Sequence, residues 1–218
     1  MEPSQDPGRI LLINKPLHWT SFDVVNKLRY KLRTKKIGHA GTLDPLATGL
    51  LIICVGKMTK RIEEFMGQEK EYTGKFILGS TTQSHDLETP VSESKDISHI
   101  TTEMLHRASA NFVGSIHQLP PQHSAIRVKG KRAYEFAREG KEIELKTREV
   151  SVTTFEIQQI NLPVVSFRIV CSKGTYIRSL ARDFGNHLQV GAYLSELCRT
   201  RIGNFQLEDA KTIDEVEM

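Results

Sequence analysis

Gly38-His39-Ala40-Gly41-Thr42-Leu43-Asp44-Pro45-Leu46-Ala47-Thr48-Gly49-Leu50-Leu51 joins two unlike kinds of sequence. Gly38, Gly41 and Gly49 free the backbone, while Pro45 keeps the residue before it out of the α region. The residues that follow, Leu50-Leu51-Ile52-Ile53-Cys54-Val55, read as a strand buried on both faces. Asp44 is therefore a carboxylate on a stiff, extended backbone at the mouth of an apolar strand. An Asp-Pro pair beside glycines reads, by itself, as a turn. His39, Thr42 and Asp44 bring polar groups to an apolar setting, where each needs a partner or a chemical task.

Working outward, Arg9 to Asn14 reads as a first strand ended by Lys15-Pro16. Thr20-Ser21-Phe22-Asp23 has a capping residue and an acid in the first turn, so a helix is expected from about Phe22 to Arg33. Val25, Leu28 and Leu32 share one face of it. The other face carries Lys27, Arg29, Lys31 and Arg33, continuing into Lys35 and Lys36 with no acid between Lys27 and Lys36. That face reads either as a solvated helix surface or as a phosphate-contacting one.

Beyond the opening stretch, the pattern predicts a short helix over Thr59–Phe65 and a strand over Glu71–Gly79. A polar connection follows over Ser80–Ser98, containing His85-Asp86, and then a helix over Thr101–Phe112. Ser124 to Val128 is a short extended piece before the basic loop Lys129-Gly130-Lys131-Arg132 and a helix from Ala133 to Glu139. Such a loop beside a helix reads as an RNA-gripping arm or as a solvated hairpin. Strands are expected over Val150–Ile160 and Val164–Cys171, a helix from about Thr175 to His187, and a last strand over Tyr193–Ile202 bearing Arg199 and Arg201. Strands and helices mix without βαβ regularity. The expected class is α+β, a mostly antiparallel mixed sheet flanked by helices and loops.

At 218 residues, one domain is the default. A hydrophobic fraction of 39% and a mean hydropathy of −0.33 describe an ordinary soluble chain. No apolar run is long enough to span a membrane. Residues 1–8 are polar and rich in Pro and Gly, which predicts a disordered tail and no signal peptide. Cys54, Cys171 and Cys198 are odd in number, widely spaced and set among apolar residues, so small buried hydrophobes in a reduced, cytoplasmic setting are expected. The net charge of +4 conceals an acidic end: Glu208 to Met218 carries −4, which leaves +8 on the rest. A basic body suits a polyanionic partner.

There is no Walker loop, dinucleotide fingerprint or HExxH, and no clustering of Asp44, Asp86 and Asp183 of the kind a two-metal nuclease needs. A lone aspartate with aromatic and arginine companions fits nucleophilic catalysis without metal or cofactor. The whole opening stretch, Gly38 to Leu51, resembles the catalytic signature of the TruB family of tRNA pseudouridine synthases. Further motifs extend the resemblance over nearly the whole chain. They are Lys15-Pro16 with Thr20-Ser21, Lys70-Glu71-Tyr72, Gly130 to Gly140, Cys171 to Leu180, and Leu197. One departure is His18, where the family usually has glycine, and it bears on the shape of that turn.

The resemblance implies a pseudouridine synthase fold over residues 9–218, with a thumb-like segment at about 124–140. As a departure from bacterial members, which commonly carry one, no C-terminal PUA domain is expected, since residues 209–218 leave room for only a short element. It implies Asp44 as nucleophile, Tyr72 and Arg178 as catalytic companions, and Tyr176 and Leu197 as pocket walls. Arg178 would supply a counter-charge, Tyr72 a stacking face and a candidate base for the C5 proton. Asp86 would orient Arg178 or Tyr72. His39 would fill the gap left by a flipped base or cap the glycine turn. Lys15, Lys60, Lys129, Lys131 and Arg132 complete the expected RNA-binding set. The implied substrate is the T-arm of tRNA, with uridine 55 isomerised to pseudouridine after flipping out. Attack at C6 of the base and at C1′ of the ribose are both open at this point. The expected enzyme is a cytoplasmic monomer without protein partners. Two rival readings are an RNA-folding chaperone using the same cleft, which could also coexist with the chemistry, and a catalytic subunit of a guide-RNA particle. Intact Asp44, Tyr72 and Arg178 favour the enzyme, and the continuous 124–140 segment favours the stand-alone form.

Overall fold

A computed structural model describes residues 8–92, 94–124, 126–128, 130–141 and 143–217, without the side chains of Arg127, Arg132 and Arg138. The expected tail at residues 1–7 and the thumb residue Lys129 lie outside the described residues. The chain forms two compact units, the first running to Thr73 and resuming at Glu196, the second comprising Gly74–Ser195.

The first unit is built on the apolar run. β3 (Ala47–Val55) pairs antiparallel with β1 (Arg9–Lys15), from Arg9 opposite Val55 to Lys15 opposite Gly49. β2 (Ile37–His39) lies antiparallel along the far half of β3, and β10 (Ala192–Ile202) runs parallel to its near half. β11 (Phe205–Gln206) adds antiparallel to β10. Alternation assigns the two faces of β3. Leu51, Ile53 and Val55 pack with Ile13 against Val24, Val25 and Leu28 of α1 (Ser21–Lys31), while Leu50, Ile52 and Cys54 pack with Phe65 and Ile202. Both faces are covered, which is why the run shows no polar alternation. Phe65 comes from α2 (Ile62–Gly67), which follows a 3₁₀ turn over Gly56–Arg61. α1 begins as expected: the Thr20 hydroxyl accepts from Asp23 N at 3.0 Å and the Asp23 carboxylate accepts from Thr20 N at 2.8 Å.

The second unit carries the order β4–β9–β8–β5, where β4 is Lys70–Leu78, β5 Gly114–Gln118, β8 Arg148–Asn161 and β9 Val164–Cys171. The chain leaves the first unit within β4 and returns to it within β10. The β8–β9 and β5–β8 pairs are antiparallel. Phe76, Phe155, Phe167 and Phe184 form its aromatic centre, with Phe76 and Phe167 only 4.2 Å apart between ring centroids. Phe184 comes from α5 (Ile177–His187), and α3 (Thr102–Ala110) buries Leu105 and Ala108. A two-stranded ribbon, β6 (Arg127–Val128) with β7 (Lys131–Arg132), leads into α4 (Ala133–Arg138).

The α+β class and the mostly antiparallel sheet agree with the sequence reading. β5 was not expected there. It is an edge strand with one aliphatic residue, Ile116, so no period-two pattern announces it. Among the described residues no helix is long and apolar enough to cross a membrane.

Candidate active site

Asp44 lies partly buried between β2 and β3, and its backbone is fastened from several sides within the first unit. The Ser21 hydroxyl, buried at the start of α1, accepts from Leu43 N at 2.8 Å and donates to Leu43 O at 3.1 Å. Ala47 N closes the Asp-Pro turn by donating to Asp44 O at 3.0 Å. Gly49 has φ +102°, and a Cβ on it would meet Arg199 O at 2.4 Å and Arg199 N at 2.7 Å. Only glycine lets β3 approach β10 so closely at this point. The parallel register then sets Leu197, half-buried, opposite Ala47, three residues beyond Asp44.

Arg199 is the strongest feature that sequence reading passed over, having been noted only as a strand residue. It is 1% exposed, and its guanidinium donates to Leu50 O at 2.8 Å, Gly41 O at 3.2 Å and Thr42 O at 3.4 Å. One planar fork thus ties together both ends of the stretch that carries Asp44. Its strand also carries Ser195, Glu196, Thr200 and Arg201, so no sequence signal marks this arginine as the buried one.

Lys15 requires a correction. Expected among RNA contacts, it is fully buried, and its ammonium donates to Trp19 O at 2.6 Å and Pro16 O at 2.8 Å. It therefore holds the turn and does not reach a phosphate. Burial pushes this ammonium down to about 8, Asp44 opposes that shift, and the Arg199 charge adds to it. Asp44 thus shares its unit with two buried basic residues, Lys15 and Arg199.

The Lys15–Thr20 turn also resolves the departure at His18. His18 takes φ +65°, the left-handed region where glycine is at ease, and its N–H donates to Pro45 O at 2.8 Å. The turn keeps a glycine-like shape with histidine in it. His18→Gly is expected to keep the fold and to raise stability by up to about 1 kcal/mol, since left-handed strain is relieved while chain entropy is lost. Urea unfolding of the two proteins measures the difference.

Tyr72, on β4, is 9% exposed. Beside it, Glu71 accepts from the Thr200 hydroxyl at 3.0 Å, and Arg201 bonds Glu69 at 2.8 Å. His39 is half-buried on β2, paired in register with Ile53, so its backbone belongs to the sheet ladder. Lys60 is exposed on the 3₁₀ turn.

The second unit holds the other expected residues. Arg178 is 3% exposed; it donates to His123 O at 2.8 Å and to Ser84 O at 3.4 Å, and lies 3.5 Å from the Asp86 carboxylate. Asp86 is itself buried and accepts from Glu88 N at 2.9 Å. Asp86 is thus placed to orient Arg178. Tyr176 caps α5, and Gln118, fully buried on β5, holds its backbone from both sides, accepting from Tyr176 N at 2.8 Å and donating to Tyr176 O at 3.1 Å. The Arg148 guanidinium lies 4.5 Å over the Tyr176 ring. Gln118 was not foreseen, because the strand bearing it was not. Lys131 is exposed on the ribbon, 5.9 Å from the Phe136 ring, whereas Lys129 and the Arg132 side chain lie outside the described residues.

His85, next to Asp86, takes φ +64°. Burial, then the charges of Arg182 and Arg178, pushes its imidazole down to about 4. The folded state therefore binds fewer protons than the unfolded chain between pH 6.5 and 4. Stability is fully present above about 6.5 and is lost as pH falls through about 4, by on the order of 1–3 kcal/mol. His85→Asn, which tolerates the left-handed backbone and does not titrate, is expected to remove that part of the acid sensitivity. Urea titrations at pH 7 and 4.5 read it.

The profile of the TruB family pseudouridylate synthase N-terminal domain matches residues 29–177. The tRNA pseudouridine synthase B of Flavobacterium johnsoniae is 52% identical over 210 residues, covering 93% of this chain and 92% of that protein. That of Parabacteroides distasonis is 52% identical over 216 residues, covering 96% and 92%. Among solved structures, a chain of a Cbf5–Nop10–Gar1 complex superposes with a TM-score of 0.74 at 29% identity, over 94% of this chain and 52% of that one. This chain therefore spans about half the length of that structural relative.

Proposed function

This chain belongs to the TruB family of pseudouridylate synthases, and we propose that it isomerises a uridine of tRNA, uridine 55 of the T-loop, to pseudouridine with Asp44 as the nucleophile. The observation that carries the assignment is the fastening of Asp44. Ser21, Arg199 and the Gly49–β10 approach hold its backbone, and the buried Lys15 ammonium acts on its carboxylate. A carboxylate so restrained is positioned before substrate arrives, which lowers the entropic part of the barrier.

The reaction is an isomerisation and balances without oxidant or reductant. The uridine leaves the stack, and Asp44 adds covalently to it. The C1′–N1 bond breaks, the uracil turns, and a C1′–C5 bond forms. C5 then gives up its proton, N1 gains one, and the carboxylate departs unchanged. Tyr72 is assigned to stacking on the flipped base and to taking the C5 proton, and Leu197 and Tyr176 to lining the base pocket. Arg178, oriented by Asp86, is assigned to charge stabilisation. The β6–β7 ribbon with α4, carrying Lys131 and Arg132, is assigned to gripping RNA, largely through phosphates and shape. The enzyme is read as a cytoplasmic monomer acting on tRNA without a protein partner.

The test uses unmodified tRNA tritiated at uracil C5. Release of one tritium per tRNA, with the new pseudouridine mapped to the T-loop, is the expected result. Tight tRNA binding without release would overturn the assignment in favour of a folding role.

A further inference from the structure

α1 presents to solvent a set of side chains that neither the core nor the proposed chemistry uses. Its buried face is Val24, Val25 and Leu28. Facing away from them, Tyr30 is 83% exposed and Phe22 57% exposed. Burial gives no reason for either aromatic to stand there, and each sits beside an arginine. Arg29 donates to the Asn26 carboxamide at 2.8 Å and its guanidinium lies 5.9 Å from the Phe22 ring. Two contacts thus hold this arginine in place on the surface, with its charge left without an acidic partner in either of them. Arg33, exposed, lies just past the end of α1, where its N–H donates to Tyr30 O at 3.2 Å.

The charge on this element has one sign. Between Asp23 and Asp44 there are six Lys and Arg residues and no Asp or Glu. Asp23 is itself engaged as the capping-box acid. The acidic C-terminal segment meets α1 on its other flank, where the Lys31 ammonium donates to the Ile213 and Asp214 carbonyls. The aromatic–arginine stripe is therefore not covered by the tail. Exposed aromatics beside a guanidinium held in place match a polyanion that also offers flat π-faces.

We propose that the solvent-facing stripe of α1 formed by Phe22, Arg29 and Tyr30, together with Arg33 just past the helix end, is an RNA-docking surface, with the arginines on phosphates and Tyr30 stacked on an unpaired base. This rests on the reading of the protein as a tRNA-modifying enzyme and adds to it a contact made by residues not assigned to the reaction. The surface sets affinity and leaves the chemical step untouched.

The test measures binding of an unmodified tRNA transcript across a series of KCl concentrations, for wild type, Tyr30→Phe, Tyr30→Ala, Arg33→Ala and the double alanine variant. The double variant is expected to bind about tenfold more weakly, and loss of Arg33 to lower the slope of log Kd against log salt by about 0.7–0.9. Tyr30→Phe keeps the stacking face and should bind like wild type. Single-turnover rates at saturating tRNA and thermal unfolding should be unchanged throughout. A double variant with wild-type affinity and salt slope would overturn the proposal and leave the stripe as a protein-contact face. Weakened binding by the variants with no isomerisation by wild type would remove the proposed reaction while keeping the docking surface.

Discussion

Asp44→Asn is expected to abolish turnover, lowering single-turnover isomerisation by about 10⁴-fold or more, while tRNA affinity stays within about threefold of wild type. The amide is nearly isosteric with the carboxylate, so the Ala47 N to Asp44 O turn and the Ser21 clamp on Leu43 should persist. What disappears is the nucleophile and one negative charge. That charge opposes the burial-driven fall of the Lys15 ammonium, which already lies at about 8. With it gone, Lys15 gives up its proton at still lower pH. Because its folded value lies below the unfolded one, its contribution to stability is full above about 10.5 and is lost as pH falls through the folded value. Asp44→Asn should extend the lower edge of that window while its upper edge stays at about 10.5, so the pH to which stability goes on falling is a second readout, independent of activity. Tritium release equal to that of wild type would mean a different nucleophile.

Arg199→Met is expected to be the most damaging substitution away from the nucleophile. It leaves the carbonyls of Leu50, Gly41 and Thr42 without the donors that now serve them. Leu50 itself is fully buried, and water does not readily replace a donor at such a site. A loss of about 3 kcal/mol in unfolding free energy follows, since hydrogen bonds from a charged donor are the stronger ones and a buried orphan is costly. The Asp44 loop also loses the tie between its two ends. A fall in kcat of about 100-fold with KM little changed is expected, because misplacing a reacting group by about 1 Å costs that much. Arg199→Lys keeps the charge but not the fork, and should recover stability better than kcat. Unfolding curves beside single-turnover kinetics separate the two effects. Full kcat in a destabilised Arg199→Met protein would make the residue structural only.

Much of this protein could be read from local pattern. The apolar run Leu50–Val55, the capping box at Thr20 and Asp23, and the strands on either side of Asn161-Leu162-Pro163 announce themselves through periodicity and capping chemistry, which depend on near neighbours. The stretch from Gly38 to Leu51 likewise pointed to Asp44, through its resemblance to a family signature, since an Asp-Pro pair beside glycines by itself reads as a turn.

What sequence left undecided depends on the folded chain. Lys15 was expected among the RNA contacts and is a buried brace: its acceptors, Pro16 O and Trp19 O, are near in sequence, but its burial comes only with the folded first unit. Arg199 looked like one strand residue among others until the parallel register laid it against Gly49, some 150 positions earlier in the chain. The strand Gly114–Gln118 has too little apolar pattern to be seen alone, and with it went Gln118, the clamp on Tyr176. Local residues determined the elements and, through the family signature they carry, singled out Asp44 as the proposed nucleophile. Only tertiary structure decided which buried cations and amides hold Asp44 and its proposed companions in place, because burial and most of these backbone hydrogen bonds arise from segments that meet in space and not in sequence.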